Sequence, residues 1–389
     1  MAKYADPIKV CFATWQYPPD KGGVGRSAQR IATYLVESGF EVHVFVPDIS
    51  KPFSDAIPTP AVENGIHLYR VPTGASVSGK EQAMFLTIKH YDGLISFDIF
   101  HGFFLPIAYP CILVAGRTKR PVIASIRGVD GFGLLANLDY FPYISAAVER
   151  ASWITSVNSA LLDNVSAISD IENRSSFIPN SIDATTFPKW KPRSENSGTI
   201  GTVAIFRRKK NLSLLISAYA KIDPKLRRRL LLVGEFAEYS NPAKANAIDT
   251  ERAKITALIK KHAIDGQVDI TGFLDKAGVQ AQLLNMNVYV QCSKYEGLPN
   301  ALLEAAAVGL PIVSTATDGM KDVLVHGDSA LLVPPDDPNR LAHAIEMILT
   351  DDTLTQKLSE GALKLSEQLS PECERELWVQ LYYRLLEMK

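Results

Sequence analysis

The residues with the most chemistry in them lie in one stretch, Lys294–Thr315, which reads KYEGLPNALLEAAAVGLPIVST. Glu296 stands where a strand-like run, Val288–Gln291, gives way to a helix-like one, and Glu304 follows it at an E-x7-E spacing. A carboxylate among Ala301, Leu302, Leu303, Ala305, Ala306 and Ala307 needs partners, because an unpaired buried charge costs far more than a local contact returns. Two carboxylates, one at the mouth of the turn and one a couple of helical turns inside, can each accept hydrogen bonds from the hydroxyl pairs that sugars and ribose present. Pro299 suits the first turn of the helix, where free backbone N–H groups make an anion or hydroxyl site without any side chain. A polyol or a phosphate fits such a place. The bland alternative is a Glu304 that simply faces solvent, as most helical charges do.

A second constellation is Phe206–Leu212, FRRKKNL, again between a strand and a helix. Four consecutive cations are often only a solvated turn. At the carboxyl end of a strand, where open α/β sheets bind ligands, Lys210 can instead reach a diphosphate. The run Lys21–Ala28 contains Gly23-Val24-Gly25-Arg26-Ser27-Ala28, a GxGxxA match with Asp48 further on, which is a dinucleotide fingerprint when it follows a strand at once. Here Trp15–Lys21 intervenes, which argues against that use. His101 ends the strand candidate Asp98–Phe104, and Arg127 ends Val122–Ile126, so both are candidate site residues at strand carboxyl edges. For His101 a hydrogen-bonded core histidine is the competing reading. Asp130 and Asn158 are acceptor-side candidates, while Asn180 and Ser181 read as an ordinary turn.

The elements that would position these residues follow an α/β rhythm. In the first half the strand candidates are Ile8–Thr14, Glu41–Pro47, Ile66–Val71, Asp98–Phe104, Val122–Ile126, Trp153–Val157 and Ser176–Ile178, apolar on both faces as in a parallel sheet covered by helices. Between the first two lies a helix, Ser27–Ser38, ended by Gly39. The rhythm breaks at Phe187–Gly198, FPKWKPRSENSG, read as a linker, and restarts with Thr199–Phe206, Leu230–Val233, Val268–Thr271, Val288–Gln291, Pro311–Ser314 and Ala330–Val333. Helices should begin near Asn211, Thr250, Gly278, Pro299 and Pro338, and a terminal one at Pro371. The expected domains are 1–190, 191–370 and a helix over 371–389.

Composition narrows the classes. The 389 residues exceed one ordinary domain, and 47% hydrophobic with 21% charged residues suits a globular chain. A net charge of -1 gives no global field for nucleic acid. Cys11, Cys111, Cys292 and Cys373 are scattered, so neither a disulfide framework nor a zinc site is indicated and a reducing compartment is expected. Met1–Pro7 has no signal-peptide apolar region, and no apolar stretch is long enough for a bilayer crossing.

Taken together, Glu296-Gly297-Leu298-Pro299 with Glu304, then Gly309-Leu310-Pro311-Ile312-Val313, resemble the nucleotide-binding signature of GT-B glycosyltransferases of family 4. Gly22-Gly23-Val24-Gly25, Phe177–Asp183, Lys209-Lys210-Asn211, Gly234-Glu235, Thr271-Gly272-Phe273 and the Gly319–Val333 segment occur in the family's order, so the resemblance covers nearly the whole chain. It implies two Rossmann-like doubly wound domains facing a cleft, acceptor on the first, nucleotide sugar on the second, with the terminal helix crossing back. It further implies that Glu304 holds the ribose hydroxyls and Glu296 faces the transferred sugar, with Lys210 at the diphosphate. The segment Gly297, Leu298, Pro299 and Asn300 would meet sugar and phosphate through its backbone; Gly23 and Gly25 would lie in a lip over the donor. Two departures stand out: Ile205 where an Arg is usual, for which Arg207 or Arg208 can substitute, and Arg127 where a His is usual.

The expected activity is therefore retaining transfer of a hexose-type sugar from a nucleoside diphosphate sugar, UDP first, to a hydroxyl of a glycan or lipid-linked acceptor. Polysaccharide or glycolipid synthesis is the expected setting, in the cytoplasm with peripheral membrane contact possible in principle. No cofactor or metal is required, since no Asp-x-Asp motif is present and the Arg207–Lys210 cations can neutralise the diphosphate. The alternatives are a nucleotide-sugar-binding scaffold that has lost catalysis, and an NAD-dependent oxidoreductase resting only on GxGxxA and Asp48.

Overall fold

The computed structural model describes residues 6–20, 22–116, 118–191, 198–236 and 242–388. Lys21 of the glycine run, the first residues of the chain and positions 192–197 of the expected linker lie outside them. The chain divides into two compact units, one of Met1–Asn180 with Glu372–Lys389, the other of Ser181–Pro371.

The first unit runs β1 (Lys9–Thr14), α1 (Gly23–Glu37), β2 (Glu41–Asp48), β3 (Ala61–Glu63), β4 (Ile66–Pro72), α2 (Val77–Ile95), β5 (Ile99–Phe103), α3 (Leu105–Ala115), β6 (Val122–Ile126), α4 (Phe141–Arg150), β7 (Trp153–Ser156), α5 (Ser159–Ser166) and β8 (Ser175–Phe177). Its sheet has the order β3-β4-β2-β1-β5-β6-β7-β8, parallel except where β3 pairs antiparallel with β4. β3 is short and exposed along its length, so it has no apolar signature to read from sequence. The central strands are buried on both faces, which is why they read as unbroken apolar runs.

The second unit runs β9 (Thr199–Val203), α6 (Leu212–Tyr219), β10 (Arg229–Val233), α7 (Pro242–Lys261), β11 (Val268–Ile270), α8 (Lys276–Leu284), β12 (Val288–Gln291), α9 (Asn300–Val308), β13 (Ile312–Thr315), α10 (Asp318–Lys321), β14 (Leu331–Val333), α11 (Pro338–Thr350) and α12 (Asp352–Gln368). Its sheet is wholly parallel in the order β11-β10-β9-β12-β13-β14. Pro299 is the residue before α9 rather than its first, and Gly309, in the left-handed region at φ 83°, stops the helix with its N–H on Ala306 O.

Three boundaries differ from the sequence reading, one of them α7, which begins at Pro242 and not near Thr250. Ser181–Trp190 goes with the second unit: Ile182 N bonds Leu369 O, Trp190 N bonds Val308 O, and the Trp190 indole donates to Met286 O at 2.7 Å. The break therefore precedes Phe187, whose neighbourhood looks linker-like only by composition. In the first unit α1 starts at Gly23, not Ser27, so Gly23 and Gly25 form the first helical turn instead of an open lip. A Cβ on Gly25 would sit 3.3 Å from the backbone of Gln16 and Tyr17, so glycine is there for close packing.

The last helix, α13 (Pro371–Glu387), completes the first unit's core with Trp378, Leu381, Tyr382, Leu385 and Leu386. Glu374, 2% exposed, anchors it through two hydrogen bonds from Arg30 at 2.7 and 3.2 Å. Glu374→Ala strands that guanidinium beside Arg127, and we expect a loss of about 3 kcal/mol in denaturant titrations. A change within error would mean that α13 is held by its apolar face alone.

Candidate active site

In the second unit the strand order reverses between β9 and β12. Ligands of open α/β sheets bind beyond the carboxyl ends of strands at such a switch point. Two loops leave those ends, 204–211 after β9 and 292–299 after β12, and backbone bonds stitch them together. Lys294 N donates to Lys209 O at 2.8 Å, and the buried Cys292 thiol lies 3.2 Å from Lys210 O. Phe206 is buried against Phe236, and its N–H bonds Glu235 O at 2.7 Å. Gly234 permits that approach: at φ 135° a Cβ would fall 1.8 Å from Ala204 O. Asn211 closes the loop in the left-handed conformation, its amide donating to Asp336 at 3.0 Å.

This stitching aims two lysines at one carboxylate. Lys209 Nζ lies 3.1 Å from Glu296 Oε2, and Lys210 Nζ lies 2.5 Å from Oε1. Ser293 Oγ donates to the same Oε1 at 3.0 Å. Glu296 is 6% exposed; burial alone would raise its pKa, but Lys210 and Lys209 outweigh it and hold the carboxyl down to about 2. A buried polar chain runs back along β12 from there: Gln291 donates to Ser293 at 2.7 Å and Tyr289 to Gln291 at 2.9 Å. Glu304, half-buried on α9, adds to burial in pushing the Tyr289 phenol far up.

The opening of α9 carries no side-chain cap. Gly297, Leu298 and Pro299 are buried, and the Asn300 Oδ1 is buried without a hydrogen-bond partner. Thr317, beyond β13, holds a second such atom, its Oγ1. A helix start without a side-chain cap, a carbonyl oxygen and a hydroxyl thus lie after the carboxyl ends of β12 and β13, groups that a polyol or phosphate ligand can use. Arg207, at the start of the cationic turn, is exposed.

The sequence reading placed Glu296, Lys210 and the Gly297–Asn300 segment in one site, and the structure brings them together. It missed Lys209 as a direct partner of Glu296, although Lys209 stood beside Lys210 in the motif. Ser293 and Thr317 were also missed; neither spacing nor composition sets a single hydroxyl apart from ordinary loop residues.

The first unit corrects four expectations. His101 is 0% exposed, with one ring nitrogen 2.7 Å from the Tyr382 hydroxyl and the other 2.6 Å from Ser125 Oγ, and burial drives its pKa well down. It is a core histidine joining α13 to the sheet, not a catalytic one. Asp130 is also fully buried, accepting from the backbone N–H of Leu105, Arg127 and Gly128 at 3.0, 3.0 and 2.8 Å; burial still lifts its pKa to about 6. It fastens β6 to the start of α3 and is not open to an acceptor. Asn158 caps α5 through Leu161 N at 2.8 Å. Arg127 is half-buried, stacks 4.3 Å above the Phe103 ring and donates to Asn180, with Arg30 and Glu374 in its electrostatic surroundings. Burial lowers its pKa, yet the group stays a cation at neutral pH. Its partners make it a structural clamp in this unit rather than a cation held for a leaving group.

Two doubly wound α/β units, with a helix from the end of the chain built into the first, are the fold of a GT-B glycosyltransferase. The profile of "Glycosyltransferase Family 4" matches residues 21–186 and that of "Glycosyl transferases group 1" matches residues 183–365. The chain belongs to glycosyltransferase family 4. It is 24% identical over 383 residues to N-acetyl-alpha-D-glucosaminyl L-malate synthase of Bacillus anthracis, covering 95% of each chain. Among solved structures it is similar to sucrose-phosphate synthase of Thermosynechococcus elongatus, with TM-score 0.82 and 19% identity over 98% of this chain and 100% of that one. Anabaena HepE in complex with UDP-glucose gives TM-score 0.76 and 13% identity, with 97% and 100% covered.

Proposed function

We propose that this chain is a retaining glycosyltransferase that moves a hexose-type sugar from a nucleoside diphosphate sugar, UDP-linked in the first instance, to a hydroxyl acceptor. The observation that carries the reading is the Lys209–Lys210–Glu296 cluster at the switch point, beside the uncapped start of α9. As the glycosidic bond breaks, negative charge gathers on the leaving diphosphate and positive charge on the sugar carbon. Fixed lysines stabilise the first and an ionised Glu296 the second, with no reorganisation needed at the moment of reaction. In front-face attack the acceptor oxygen bonds to that carbon on the side the diphosphate leaves, and a diphosphate oxygen takes the acceptor proton. With two lysines at the diphosphate, metal is not needed for charge neutralisation.

A UDP donor agrees with the UDP-glucose bound to Anabaena HepE, a neighbour in fold only. The acceptor belongs on the first unit, as a glycan or a lipid-linked glycan in polysaccharide or glycolipid assembly. Val129, Leu138 and Phe141 are exposed there, and no described helix is long and apolar enough to cross a membrane.

Thermal shifts with UDP, GDP, ADP and NAD test the reading, since a ligand at 100 times its Kd stabilises by about 2.7 kcal/mol. UDP is expected to raise Tm, and Glu304→Ala to weaken its binding by about 1–3 kcal/mol through lost charged hydrogen bonds. A response to NAD alone would overturn the reading. UDP-sugar binding without transfer or hydrolysis would leave a sugar-nucleotide receptor instead of an enzyme.

A further inference from the structure

The first sheet also has a switch point, between β1 and β5. Trp15 follows β1 and Phe104 follows β5, so both side chains stand at the carboxyl ends where a ligand crevice is expected. Their rings are 4.5 Å apart, with Tyr140 5.4 Å from the indole and Lys80 Nζ 5.4 Å over it. Phe104 has φ 146°, a costly backbone for a residue with a side chain, and the Asp130 bond to Leu105 N helps to hold it there.

Two buried polar groups in this aromatic setting have no hydrogen-bond partner. One is the Trp15 indole N–H; the other is the whole carboxyl of Glu81, with both oxygens unpartnered on a residue 4% exposed. Glu81 lies on α2 close enough to influence the phenols of Tyr140 and Tyr143. A buried, unsatisfied group of this kind costs folding free energy, so it calls for a reason to exist. Burial pushes the Glu81 carboxyl up to about 8, which leaves it protonated at neutral pH. A neutral carboxyl gives one O–H donor and one acceptor oxygen, and the indole gives one more donor. That is the complement of vicinal hydroxyls, while the aromatic walls suit the C–H face of a polyol ring.

We infer that Trp15 and Glu81 form the acceptor subsite of this enzyme and take the hydroxyls of the acceptor. The inference rests on the glycosyltransferase reading for the word acceptor, but not for the binding itself.

Indole N–H NMR of the full chain tests it directly. The four tryptophans give four indole signals, and Trp15→Phe identifies the one from Trp15. Titration with methyl β-D-glucopyranoside, glycerol and myo-inositol is expected to move the Trp15 signal saturably for at least one of them. Glu81→Gln keeps a donor and an acceptor and should retain the response. Glu81→Leu, similar in size, should weaken it about tenfold or more. UDP affinity, measured alongside, should be unchanged in every variant. A Trp15 signal indifferent to all three polyols overturns the inference. If UDP binds while Trp15 stays silent, the subsite falls and the transferase stands; if Trp15 responds and no nucleotide binds, the reverse holds.

Discussion

Lys210→Ala is expected to lower kcat by about 10²–10³, the cost of removing one preorganised group that meets charge developing in the transition state. Lys210 qualifies on geometry: its Nζ is 2.5 Å from Glu296, and its loop is fixed by Cys292, Lys294 and Phe206 rather than by solvent-exposed contacts. Lys209 shares the carboxylate at 3.1 Å from a more exposed position, so Lys209→Ala should cost less. On the proposed reading the two act on one diphosphate, and the double variant should fall short of the product of the single effects, as expected for residues working as a unit. Lys210→Arg should recover only part of the rate, since a planar fork does not reproduce a point charge. Chelation by EDTA should leave the wild-type rate intact if the lysines do the neutralising. Steady-state transfer and donor hydrolysis report all of this, and a Lys210→Ala enzyme within a few-fold of wild type would remove the residue from the leaving-group site.

How much of this was legible beforehand depends on whether a residue's role is local. The buried parallel strands were readable because residues such as Val10–Ala13 and Leu230–Val233 are apolar on both faces, and a helix starting after Gly-Leu-Pro is a local event. Glu296 and Lys210 were found because each sits at a strand-to-helix junction, a position that sequence order reveals. The roles of His101, Asp130 and Asn158 were misread for the same reason. Their junctions are real, but for His101 and Asp130 the choice between ligand and backbone is decided by partners from other elements, while Asn158 turns back onto Leu161 N as an ordinary helix cap. Tyr382 answers His101 from the last helix, and Leu105 answers Asp130 from the start of α3. Glu81 and Trp15 were invisible in turn, because nothing local marks a polar group as lacking a partner. The exposed edge strand β3, with no apolar face, escaped by the same logic.

Glu296→Gln is expected to slow turnover by about 10² or more while UDP binds as well as before or better. The two effects separate because Glu296 has two duties. In the empty site it neutralises Lys209 and Lys210, so an incoming diphosphate must compete with it for those cations. Glutamine keeps the shape and the Ser293 bond but gives up the competition, which favours the nucleotide. On the proposed reading the same carboxylate faces the sugar during transfer, and there the lost charge is missed only as the glycosidic bond opens, so the penalty falls on kcat. The pH dependence follows from the carboxyl's depressed pKa. A group held down to about 2 contributes stability above the ordinary carboxyl value near 4.5 and loses it as pH falls through the folded value. The stability difference between wild type and Glu296→Gln should therefore be constant at neutral pH and close between about 4.5 and 2. Within the same window wild-type kcat/KM should show no ionisation from this residue above about 4.5, and any acid limb nearer neutrality belongs to another group. A variant with normal kcat and weakened UDP binding would assign Glu296 to nucleotide binding instead, and would make the lysine pair, not the carboxylate, the centre of the reaction.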